Sequence, residues 1–134
     1  MNTPTLGIIG GGQLGSLLAD AAKKIDIQTV ILSDDPDAPG KHFATKFIFG
    51  QYDDAIINNF IDEVDLVTYE FENIPFAILK KINEKKQVLP KPEINRLIQH
   101  RETEKKFLND NNITTTKYVT IKNEKDLSEN VDLL

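Results

Sequence analysis

Two short stretches of the chain carry residue types that chemistry can use. Gly10-Gly11-Gly12-Gln13-Leu14-Gly15 satisfies G-x-G-x-x-G, and Tyr69-Glu70-Phe71-Glu72-Asn73-Ile74-Pro75 sets two carboxylates around a phenylalanine ahead of a proline. Glycines let a backbone approach a ligand closely, and a helix starting behind them aims unpaired N–H groups and partial positive charge at an anion. Together with the acidic pair Asp34-Asp35, the loop reads as a dinucleotide fingerprint. A site for another phosphorylated or anionic ligand, or a tight turn with no ligand, fits the same residues. Gln13 weighs against the dinucleotide, which needs only backbone there, because its side chain offers two donors and an acceptor; the alternative is an exposed polar residue on a first helical turn. Glu70 and Glu72 point the same way if their segment stays extended, since strand side chains alternate with period two. They could then accept hydrogen bonds from an amine or a sugar hydroxyl. Alternatively, Glu72 or Asn73 serves the N-terminus of the next helix.

These stretches need a scaffold, and the apolar pattern supplies one. Leu6, Ile8 and Ile9 form a short run stopped by the glycines, which suits a buried strand. Leu14, Leu17, Leu18, Ala21, Ala22 and Ile25 then recur at helical period and share one face. Thr29 to Leu32 is a second strand, ended by the turn-rich Ser33 to Asp37. The alternation repeats with Phe47 to Phe49 as a strand, Ile56, Ile57, Phe60 and Ile61 as a helix stripe, and Asp65 to Tyr69 as a strand. Pro75 fits the first turn of a third helix, and Val88-Leu89 would be a last strand closed by Pro90. The fold class is therefore α/β, an open, mostly parallel sheet with helices on both faces. In such a sheet ligands collect outside the carboxyl ends of the strands, which places the glycine loop and the Glu70–Glu72 segment side by side.

The chain reads differently from Lys91 onward. Pro92 opens a polar helix, a Glu/Lys-rich segment runs from Arg101 to Asn109, Lys117 to Ile121 looks like a strand, and Leu127, Val131 and Leu134 look like the start of an amphipathic helix. We divide the chain into residues 1–99, a complete α/β domain, and 100–134, a linker helix and the incomplete start of another domain.

Composition narrows the function. The 134 residues contain no cysteine and two histidines, which removes disulfides, thiolate zinc, cysteine nucleophiles and histidine-rich metal sites. The net charge of −5 argues against a nucleic-acid surface. No apolar run approaches the roughly 20 residues that span a bilayer, so no membrane partner and a cytoplasmic address are the expectation.

Taken together, Leu6 to Gly15, Asp35-Pro36-Asp37-Ala38-Pro39, Thr68 to Pro75, and Arg101 with Glu104-Lys105 and Phe107-Leu108 resemble the N5-carboxyaminoimidazole ribonucleotide synthase family of the ATP-grasp superfamily. The resemblance implies a Rossmann-like pre-ATP-grasp domain followed by the start of an ATP-grasp domain. It implies a purine-biosynthetic ligase that uses ATP and Mg²⁺ to carboxylate 5-aminoimidazole ribonucleotide with bicarbonate, in a family whose members commonly form homodimers. Within this chain it implies that Gly12, Gln13, Leu14 and Glu72 face the ribonucleotide and that Arg101 lies near ATP, with ATP and metal bound mainly by parts of the family's second domain that these residues do not include. No catalytic or metal-binding residue is expected within these 134 residues, and they are expected to be inactive alone. A solvated Arg101, or one paired with Glu102 or Glu104, is the alternative. Departures from the family pattern are Ser16 for a basic residue, Asp26 for a helix-ending glycine, His100 for an aspartate and Lys91 for a small residue. An NAD(P)-binding domain of an oxidoreductase, using Asp34 or Asp35, and a noncatalytic ligand-sensing module are the competing readings.

Overall fold

The computed structural model describes residues 3–133. The chain alternates β1 (Thr5–Ile9), α1 (Gln13–Lys23), β2 (Gln28–Ser33), a 3₁₀ turn (Pro39–His42), β3 (Lys46–Phe49), α2 (Asp54–Asp62), β4 (Leu66–Tyr69) and α3 (Phe76–Asn83). Then come α4 (Pro92–Ile98), α5 (Arg101–Asp110), α6 (Glu124–Glu129) and a 3₁₀ turn (Val131–Leu133). The four strands form one parallel sheet in the order β3-β2-β1-β4. The direction of the chain reverses across the sheet at β1, so the edge beyond β1 and β4 is where a ligand crevice belongs. The chain divides into two compact units, Met1–Arg96 and Leu97–Leu134.

Strand alternation distributes the core to two sides. Ile9, Val30, Leu32, Ile48 and Val67 pack with Ile57, Phe60 and Ile61 of α2 and Leu79 and Ile82 of α3. On the opposite side Ile8 and Ile31 pack with Ala19 of α1. Both faces are thus covered, as the apolar pattern requires. Asp53 starts α2 by accepting from the Ile56 N–H at 2.9 Å, a side-chain cap of the ordinary kind. Asp26 ends the α1 corner at φ +58°, and the Ile27 N–H closes back on Ala22 O at 3.0 Å, so an aspartate occupies the left-handed position that glycine prefers.

Three expectations change. Of the expected apolar stripe of α1 only Ala22 is buried: the inward face is Gly15, Ser16, Ala19 and Ala22, while Leu14, Leu17 and Ile25 are 59–68% exposed. The helix lies close over Ile8 and Ile31, and small side chains are what allow close approach. Val88-Leu89 contributes only an isolated bridge from Val88 to Val67, its ladder cut short where the chain turns at Pro90. Lys117 to Ile121 is irregular, with no described strand beside it to complete a ladder. Leu134 lies outside the described residues; α6 carries Leu127 as expected.

The buried face of α1 gives a paired test. Replacing Ala19 with Leu should destabilise the fold by about 1–3 kcal/mol through overpacking against Ile8 and Ile31. Leu14→Gln, at a side chain 62% exposed, should shift stability by no more than about 0.5 kcal/mol in urea unfolding. The reverse ranking would place the leucine face inward.

Candidate functional site

Ile9 and Tyr69 are register partners on neighbouring strands, so the glycine loop and the segment after β4 leave the sheet together. The Glu70 N–H donates to Ile9 O at 3.1 Å, which extends the pairing by one residue. The Glu70 side chain then crosses to the start of α1. Its Oε1 accepts from the Gly12 N–H at 2.9 Å and its Oε2 from the Gly15 N–H at 2.5 Å. A carboxylate from another strand therefore does what the N-cap residue Gly12, lacking a side chain, cannot. Such charge-assisted bonds are the stronger kind, and they sit at the positive end of the helix.

The glycines are spaced around that carboxylate. A Cβ on Gly12 would lie 2.8 Å from Glu70 Oε1, and one on Gly15 would lie 2.5 Å from Gly10 O and 3.0 Å from Glu70 Oε2. Gly10 has φ +102° and would press its Cβ to 2.8 Å from Glu70 Oε1. On the other side of the loop the Gly40 N–H donates to Gly11 O at 2.8 Å. The loop is thus held between Glu70 and the Ala38–Gly40 turn.

Gln13 and Leu14 are the first two residues of α1 and both are exposed. Their N–H groups fall among the donors that a helix start leaves without an intrahelical partner. They stand between the two glycines that Glu70 binds. Gly12 gives its N–H to Glu70, and its carbonyl accepts from the Ser16 N–H at 3.0 Å and the Ser16 hydroxyl at 2.7 Å. Ser16 is buried against that carbonyl, a place a long basic side chain could not share. The segment after β4 bends at Glu70 and turns through Glu72-Asn73, so strand alternation does not govern its two carboxylates: Glu70 turns onto the glycine loop, and Glu72 is exposed on the turn. Glu70 is the residue that pattern reading undervalued. The signal was the close pairing of β1 with β4, which puts the first residue beyond β4 nearest the loop.

Two further groups belong to this edge. Tyr52, following β3, is pushed up to about 12 by burial and by the negative charges of Asp34 and Glu70. The Tyr69 hydroxyl is buried with no hydrogen-bond partner among the described residues, and burial raises its pKa.

In the second unit, Arg101 begins α5 and pairs with Glu104 at 2.8 Å; its side chain is 86% exposed. His100 is the N-cap of α5 and makes no side-chain cap, the cost of having no aspartate there. A hollow within this unit is lined by Arg101, Lys105, Tyr118 and Ile121 among others. Among the described residues no three His, Cys, Asp or Glu side chains converge to hold a metal. No described helix is long and apolar enough to cross a membrane.

Residues 3–99 match the family described as "Ribonucleotide synthetase preATP-grasp domain". The chain belongs to the ribonucleotide synthetase pre-ATP-grasp family. Pre-ATP-grasp relatives include the N5-carboxyaminoimidazole ribonucleotide synthases of Brucella melitensis, 40% identical over 124 residues (92% of this chain, 34% of the relative), and Staphylococcus epidermidis, 37% identical over 131 residues (97% and 35%). The Staphylococcus aureus N5-carboxyaminoimidazole synthetase, solved with ADP, superposes with a TM-score of 0.90 at 34% identity, covering 100% of this chain and 36% of that one. The Aspergillus clavatus enzyme, solved with ADP and 5-aminoimidazole ribonucleotide, shares the fold at a TM-score of 0.84 and 22% identity, covering 99% and 36%. The chain thus spans about a third of the length of the curated relatives it matches. The resemblance read from the motifs and the pre-ATP-grasp α/β class are both established, and nothing in these comparisons supports a dinucleotide oxidoreductase.

The raised Tyr52 phenol makes a pH prediction. Its folded pKa lies above the unfolded value of 10.0, so the native state holds the proton more tightly and its contribution is complete below pH 10. That contribution is lost as pH rises from 10 toward 12. Urea midpoints should fall across this window, and Tyr52→Phe should flatten part of the fall; an unchanged slope in the variant would contradict the assignment.

Proposed function

We propose that this chain supplies the ribonucleotide-binding part of a cytosolic ATP-dependent ligase that carboxylates 5-aminoimidazole ribonucleotide with bicarbonate. The observation that carries the reading is the Glu70 carboxylate fixed on Gly12 and Gly15, directly beside the exposed Gln13 and Leu14. Family membership and the names of the relatives support it.

Gln13 offers a side-chain hydrogen bond, Leu14 a backbone N–H at the positive end of α1, and Glu72 an acceptor for the amine or the ribose. Gly12, whose N–H is bonded to Glu70 and whose missing side chain leaves room for that carboxylate, sets the backbone that presents Gln13 and Leu14. Glu70, with both oxygens already bonded, keeps negative charge beneath this edge, which favours an amine-bearing ligand over a second anion. ATP would supply the phosphoryl group that activates bicarbonate, and Arg101, in the opening segment of the ATP-grasp domain (residues 100–134), would contribute one guanidinium toward it.

Titration of the 134-residue chain with 5-aminoimidazole ribonucleotide, NAD and ATP tests the assignment. The ribonucleotide should bind saturably. Glu72→Ala and Gln13→Ala should each weaken it by about 3- to 100-fold, the range expected for one lost hydrogen bond. Saturable NAD binding lost in Asp34→Ala would overturn it.

Homodimerisation belongs to the same reading. Leu17, Leu18, Ala21 and Ile25 leave an exposed apolar strip on α1, the kind of surface that marks an interface. Sedimentation equilibrium should show a dimer that Leu17→Asp shifts to monomer; a monomeric wild type would remove this part.

A further inference from the structure

A G-x-G-x-x-G loop at a helix start is built to receive a diphosphate: the glycines clear space, and the N–H groups of the first turn bond the anion. In this chain an anion already occupies that position. The Glu70 carboxylate takes the Gly12 and Gly15 N–H groups, and the space left by the missing Cβ atoms of Gly10, Gly12 and Gly15 is filled by Glu70 atoms. A second anion in the same place would face like-charge repulsion in a partly buried setting and would find two of the loop's donors taken.

We propose that Glu70 is a specificity-determining residue: an internal anion that closes the glycine loop to dinucleotides and other diphosphates. In this chain the glycines house a carboxylate of the chain itself. The phosphate of any ribonucleotide substrate is therefore held away from this loop, with the amine or hydroxyl end of the ligand toward it. Loss of ribonucleotide binding would remove the proposed function and leave this role of Glu70 standing, because the two are read with different ligands.

The test uses inorganic pyrophosphate and NAD as probes, with the Gly12 and Gly15 amide resonances of the 134-residue chain as the readout. In the wild type, neither probe should shift these amides at millimolar concentration. In Glu70→Ala, pyrophosphate should shift both saturably and bind about tenfold or more tightly than any wild-type association. Glu70→Gln, which keeps one acceptor oxygen and loses the charge, should fall between them. Wild-type loop amides that saturate with pyrophosphate, or a folded Glu70→Ala whose amides ignore it, would overturn the proposal. Should neither variant fold, the wild type decides: the Gly12 and Gly15 amide shifts must follow the carboxyl titration of ¹³C-labelled Glu70, and their independence of it would refute the occupancy of the loop.

Discussion

The site depends on one carboxylate bridging two backbone N–H groups. Helix α1 begins at a residue with no side chain, so its first-turn donors need a partner from elsewhere. Glu70 reaches them because parallel pairing of β1 with β4 brings the two loops out of the sheet together. The bond set joins sequence positions 55 and 58 residues apart and fixes the loop, the start of α1 and the turn after β4 as one edge. Whatever binds at Gln13 and Leu14 meets that edge already assembled.

The rest of the fold serves this arrangement. Small residues on the inward face of α1 let the helix lie close to the sheet, which brings its N-terminus down to the strand ends. The Ala38–Gly40 turn closes the loop from the far side through Gly11 O. Phe60 fits where Gly7 has no Cβ, since one built there would stand 2.6 Å from its ring. β1 is therefore packed tightly on the α2 side as well, and the loop it carries has a rigid base.

Much of this was legible in the residues. Strand, helix, strand alternation, the two-sided parallel sheet and the proximity of the glycine loop to the Glu70–Glu72 segment follow from apolar period and topology alone. The facing of α1 was not legible in this way. Its leucines repeat at helical period as strongly as a core stripe would, and only the short distance to the sheet, a tertiary property, selects glycine, serine and alanine for the inside. The roles of the two glutamates were hidden for a similar reason. Alternation is informative while a segment is extended, and this one bends at Glu70. The strand expected over Lys117 to Ile121 shows a further limit, because β-propensity makes a ladder only where a neighbour exists to share it.

Amide hydrogen exchange at Gly12 and Gly15 in the wild-type chain addresses the carboxylate bridge most directly. Both amides should be protected to a degree comparable with Ile8 and Ile9 of β1, because they are bonded to a fixed carboxylate and open only with the surrounding structure. Exchange at the rate of a free helix N-terminal amide, with Ile8 and Ile9 still protected, would contradict the account.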